Sequence, residues 1–216
     1  MGISQGGLFG HNNGKVGKLV YYMRKGKLIV RTQGKITKAP TEDQLKCRQE
    51  MAVATAFCKV VKPFIDFGFA GHVGYTDKSP SNFAVSINKQ VALKGTYPNI
   101  QLDYAKAVVS EGRLLRADEA KVTIAEAGIR FDWYVQPNMS WPDNTDQVMM
   151  LAYFPKLNKT VYRLFGPERP AGTATLPISA PMLDEHVETY VAFISADRKH
   201  VSDSVYAGGF NIPEQN

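Results

Sequence analysis

The chain has 216 residues, 44% of them hydrophobic, with a formal net charge of +6, two cysteines and four histidines. That length and composition suit one large domain or two small ones with a packed core. Two cysteines are too few for a disulfide framework or a zinc site. No stretch reaches the ~20 consecutive apolar residues of a membrane-spanning helix. The N-terminus has no charged segment leading into an apolar one, so there is no secretory signal and a cytoplasmic location at synthesis is expected.

The first stretch in chain order, "GLFGHNNGKVGK" at residues 7–18, has the look of a phosphate-binding loop. Such a loop needs four residues between its glycines and a Ser or Thr after the lysine, to curl backbone N–H groups around phosphate and to hold magnesium. Gly10 and Gly14 are separated by three residues, and Val16 follows Lys15. The stretch therefore reads as a mobile N-terminal arm feeding a β-hairpin. The hairpin spans residues 15–32, with Val16–Met23 and Leu28–Thr32 as strands and "RKGK" as the turn. A lone hairpin is marginal in water, so it is expected to pack on its own chain or on a neighbour.

Charge is concentrated here. Residues 1–40 hold Lys15, Lys18, Arg24, Lys25, Lys27, Arg31, Lys35 and Lys38 and no acidic residue, a local charge of +8 that leaves the other 176 residues at −2. Such asymmetry points to an acidic or polyanionic partner.

"PTEDQLKCRQEMAVATAFCKVVKP" reads as a helix, with Thr41 as N-cap, Gln44 at capping-box spacing, Glu42 and Asp43 in the first turn and Pro63 as its kink or end. Cys47 and Cys58 lie eleven residues apart on it, about 16 Å of rise, too far to pair within the helix. A shorter helix is expected over Asn82–Leu93, with Gly95 past its end. From about residue 96 the period changes to two. Strands are expected at 100–109, 120–125, 128–135, 147–154, 160–165, 173–178, 187–195 and 202–207. Ile129, Phe131, Trp133 and Val135 should share one face, as should Tyr190, Ala192 and Ile194. The expected fold class is α+β: a basic arm, hairpin and helical region over residues 1–95, then a fibronectin-III- or immunoglobulin-like β-sandwich over 96–216.

Several motifs in order carry a family likeness: "GKVGKLVYYMRKGKLIVRT", "KAPTEDQLKCRQEMAVATAF", "GTYPNIQLDYAKAVVSEGRL", "AGTATLPI", "VETYVAFISAD" and "VSDSVYAGGF". Together they resemble a family of Bacteroidota proteins known as domain of unknown function 6266, over about residues 2–210. The "GKVG" hairpin and Pro-Thr-Glu helix start also resemble the N-terminal segment of many phage-encoded proteins. The resemblance implies an architecture and brings no catalytic residues. The first strand, "KLVYYMRKGK", is more charged and less glycine-rich than is usual in the family.

No nucleophile elbow, zinc-protease motif or Cys-x-x-Cys pair occurs, so no catalytic residue, metal or cofactor is expected. His11, His72, His186 and His200 read as surface or capping residues. "PDNTD" at 142–146 reads as a polar turn in preference to a calcium loop, because it lacks the glycine and distal Glu. Glu168 and Arg169 read as a solvated turn pair. The functional candidate is the basic segment, Lys15, Lys18, Tyr22, Arg24, Lys25, Lys27 and Arg31. Its cations and aromatic suit subunit docking or nucleic-acid phosphates and bases, against the simpler role of edge lysines that discourage aggregation. The leading expectation is a non-enzymatic structural or assembly protein, in a virion or other particle, with self-assembly or another subunit as partner. The alternatives are a nucleic-acid-binding protein using the hairpin, and a carbohydrate- or ligand-binding sandwich with Trp141, Tyr153 and Tyr162 as an exposed platform.

Overall fold

The computed structural model describes residues 3–5, 11–24, 26–35, 38–73 and 78–213, and the chain divides between Glu42 and Asp43 into two compact units. The first unit is an antiparallel meander of β1 (Ile3–Gln5), β2 (His11–Val16), β3 (Leu19–Arg24) and β4 (Lys27–Thr32), neighbours in space as in sequence. Gly17 and Gly26, at φ +59° and +71°, reach the left-handed backbone that a two-residue reversal requires and that a Cβ disfavours. The expected mobile arm is corrected over residues 11–16, which form β2. That segment is bonded on both sides, with Asn12 opposite Ser4 and Lys15 opposite Val20. The expected first hairpin strand, Val16–Met23, is likewise split at Gly17. Residues 6–10 of the glycine-rich stretch lie outside the described residues.

The second unit is layered. Its helices are α1 (Glu42–Val60), α2 (Lys62–Gly68), α3 (Ala70–Val73) and α4 (Pro80–Val91), with a short α5 (Ala180–Leu183). Pro63 ends α1 and does not kink it: the chain breaks at buried Val61, and the proline sits in the first turn of α2, where its missing N–H leaves no bond unmade. The second helix starts two residues before the expected Asn82. Ser79 caps it, accepting the Asn82 N–H, and Pro80 occupies the first turn.

The strands of this unit are β5 (Leu93–Lys94), β6 (Gln101–Leu102), β7 (Lys121–Ala125), β8 (Gly128–Asp132), β9 (Gln147–Phe154), β10 (Lys159–Arg163), β11 (Thr173–Pro177), β12 (Val187–Ile194) and β13 (Val205–Phe210). They form a four-stranded sheet β10-β9-β12-β13, a three-stranded sheet β11-β8-β7 and the β5-β6 pair, all antiparallel. The four-stranded sheet is covered on both faces. Met149, Leu151, Tyr153, Tyr190, Ala192 and Ile194 share one core with Phe57, Val61, Phe64, Ile65 and Phe69 of the helical segment. The opposite face, with Met150, Ala152, Phe154, Val191 and Phe193, packs on Ile129, Phe131, Trp133 and Leu176 of the three-stranded sheet side. Helices and antiparallel sheets thus form an α+β fold, and the boundary expected at residue 95 falls inside this unit because the helices and the sheet share a core.

One expected strand is mostly absent. Residues 100–109 keep two strand residues, then a 3-10 turn at Tyr104–Lys106. Buried Asn88 of α4 takes the place of a strand neighbour: its amide donates to the Val108 carbonyl at 2.7 Å and the Ala84 carbonyl at 2.9 Å, and its oxygen accepts the Val108 N–H at 2.9 Å. Asn88→Ala orphans both Val108 groups and is expected to lower stability by roughly 2–4 kcal/mol; urea unfolding measures it, and a loss below that range would mean water replaces the side chain.

Candidate functional site

Strand register decides what the first unit presents. Residues opposite each other in an antiparallel ladder point the same way, and successive residues alternate. Lys15, Val20 and Arg31 are aligned across β2, β3 and β4, followed by Tyr22 with Ile29 and Arg24 with Lys27. The other parity aligns Val16, Leu19 and Thr32, then Tyr21 with Val30 and Met23 with Leu28. One face of the sheet is therefore basic and the other is apolar and uncharged.

Five of the seven residues singled out in the sequence fall on the basic face: Lys15, Tyr22, Arg24, Lys27 and Arg31. Arg31 lies with its guanidinium 6.0 Å from the Tyr22 ring centre, within cation–π range. Lys18 sits in the β2–β3 turn, and Lys25 lies outside the described residues. The apolar face is uncovered. Val16, Leu19, Met23, Leu28 and Val30 are 37–49% exposed, and none of residues 12–24, 26–35 and 38–42 is buried.

Elsewhere the side chains depart from several expectations. Of the expected platform, Trp141 and Tyr162 are exposed, but Tyr153 is buried, its ring edge-on to Phe57 at 5.2 Å. Tyr153 falls on the inward parity of β9, so it serves the core. Arg169 is also buried. Its guanidinium donates to the Asp146 carboxylate at 2.9 Å and the Leu115 carbonyl at 2.8 Å, and stacks on Phe193 with Cζ 3.7 Å from the ring centre. Burial pushes the Asp146 carboxyl above its ordinary value, and the Arg169 hydrogen bond and charge oppose that shift. The "PDNTD" turn thus feeds a structural ion pair. His186, expected at the surface, is buried, with Nε2 2.7 Å from Glu188. The available signal was a Glu inside "HVETYVAFI", an acid in an otherwise apolar strand.

Cys58 is buried, and burial pushes its thiol up to about 12, the opposite of an activated nucleophile. Among the described residues no three His, Cys, Asp or Glu side chains could share a metal ion, and no helix is long and apolar enough to cross a membrane.

The chain is thus an α+β protein whose exposed two-faced sheet lies in a separate compact unit from its layered body. It belongs to a family of unknown function, DUF6266, whose model matches residues 10–208. No curated protein and no solved structure matches it.

Proposed function

We propose that the protein is a non-enzymatic assembly subunit of a virion or another particle, with the N-terminal sheet making the subunit contacts. The observation that carries this reading is the uncovered apolar face of β2, β3 and β4. A small sheet without a buried side gains little from folding alone, and an uncharged apolar face gains most by being covered. The particle setting draws on the likeness of the "GKVG" hairpin and helix start to phage-encoded proteins. The order β11-β8-β7 against β10-β9-β12-β13 supports reading the two larger sheets as a fibronectin-III-like sandwich, a scaffold fit for a structural body and silent on activity. Removing residues 1–36 should reduce the assembled species to a protomer in size-exclusion light scattering. An oligomer that survives the deletion would sink this reading.

A second reading, nucleic-acid binding, draws on a different observation: four cations and Tyr22 on one face with Arg31 beside the ring. Phosphate contacts release counterions, so binding through this face should weaken steeply with salt.

A further inference from the structure

The second unit holds a cleft of about 640 Å3, bordered by α1, the segment from Lys94 to Ala105, β12 and β13. Its wall is aromatic. Phe57 meets Tyr153 at 5.2 Å, Tyr153 meets Tyr104 at 5.8 Å, and Tyr104 meets the His186 ring at 6.0 Å. Tyr206 completes the lining from β13.

At its base lies Glu188, only 3% exposed. One carboxylate oxygen is 2.7 Å from His186 Nε2, and the other accepts the Tyr206 hydroxyl at 2.6 Å. Room for that carboxylate comes from Gly209, its partner across the ladder, since a Cβ there would stand 2.6 Å from Oε2. Both carboxylate oxygens thus have a partner within hydrogen-bonding distance. The His186 ring and the Tyr206 phenol hold the carboxylate in place, and among the described residues no Lys or Arg pairs with it. The contrast with Asp146, which burial supplies with a full arginine, is direct. Burying a carboxylate is costly unless it is paired and hydrogen-bonded. Its negative potential reaches the surrounding rings: burial and the Glu188 charge both raise the phenols of Tyr104, to about 12, and of Tyr190 and Tyr206. Asp103, ion-paired with Lys106 at 3.7 Å, adds a second carboxylate to the lining, and exposed Lys94 is the one Lys or Arg in that lining among the described residues.

We propose that this cleft binds a small organic cation, a quaternary ammonium or protonated amine, with Tyr104 and Tyr206 supplying aromatic lining and Glu188 the countercharge. Rings attract a cation through their quadrupole, and a buried carboxylate adds the charge term that an apolar pocket lacks. The probe is choline chloride, compared with its uncharged carbon isostere 3,3-dimethyl-1-butanol. Both are titrated into the full chain while the ring resonances of isotope-labelled tyrosines are followed. Choline should shift the Tyr104 and Tyr206 rings saturably, and the isostere should bind at least about tenfold more weakly. Glu188→Gln should close most of that gap. Lys94→Gln, a change at an exposed position that leaves the fold intact, should tighten choline several-fold, and Asp103→Asn should loosen it. Equal affinity for the two probes would overturn the proposal. So would rings unmoved at about 50 mM choline, far above the millimolar range of weak sites, or a Lys94→Gln variant that binds choline no better than the parent.

Discussion

Replacing Arg169 with leucine is expected to lower the stability of the second unit by about 3–5 kcal/mol, the effect of stranding a buried charge. Asp146 loses its hydrogen-bonding cation, the Leu115 carbonyl loses a donor, and Phe193 loses the guanidinium over its face. The loss should depend on pH in a defined direction. Burial already raises the Asp146 carboxyl, and Arg169 is the group that opposes the rise. Without Arg169 the folded-state carboxyl moves further above its unfolded value, so the folded variant binds the proton more readily than the unfolded chain. Stability relative to the parent is then lowest at neutral pH and recovers as the pH falls through the raised value and the carboxyl becomes neutral. Joint replacement of Asp146 and Arg169 by leucine and methionine should recover most of the loss, because no charge is left behind. Urea unfolding at neutral and acidic pH measures all three variants. A single-variant loss that does not change with pH would show that packing on Phe193, and not the charge, is what Arg169 supplies.

The second large effect concerns the two faces of the N-terminal sheet, which substitutions can address separately. Glutamates at Leu19 and Val30 put charge on the apolar face and leave the basic face unchanged. They should convert the assembled protein to a protomer, with the unfolding midpoint of the second unit unchanged. Glutamates at Arg24, Lys27 and Arg31 should leave assembly intact and lower affinity for duplex DNA at low salt by about a hundredfold or more. The slope of log affinity against log salt should fall by up to about 3, one step per lost phosphate contact. Light scattering and fluorescence anisotropy on the same preparations read the two effects. If the basic-face variant loses assembly and the apolar-face variant keeps it, the contact surface is the charged side and the assignment of the faces is reversed.

Much of this architecture was legible in the residues. The apolar and aromatic runs Val16–Met23 and Leu28–Thr32 around "RKGK" marked the β3–β4 hairpin with its first strand begun three residues early, and Thr-Glu-Asp-Gln before an apolar run marked the start of α1. Ile129, Phe131, Trp133 and Val135 do line one core. The basic cluster was visible as composition, but its confinement to one face was not, because a strand's parity gains meaning only from the register that sets Lys15, Val20 and Arg31 in line. The polar groups with the largest consequences were the least legible. Asp146 and Arg169 sit in separate turns, and neither turn alone marks its residue as buried. Glu188 and Tyr206 meet across a ladder with a register shift between Thr189 and Tyr190. Asn88 hid within an amphipathic helix, and its bonds to Val108 are why an alternating pattern over 100–109 failed to become a long strand.

The coverage of the four-stranded sheet on both faces has an outcome for the freedom of its sequence. Strands with one wet side tolerate polar replacements at every second position, and β10, with intermediate or exposed residues throughout, has that latitude. In β12 every residue from Val187 to Ile194 is buried, and in β9 every residue from Val148 to Phe154. Odd positions answer to the three-stranded sheet side in β12 and even positions to the helices. A saturation library across the chain should therefore show two strands in which neither parity accepts lysine or aspartate, with tolerance returning abruptly on passing to β10.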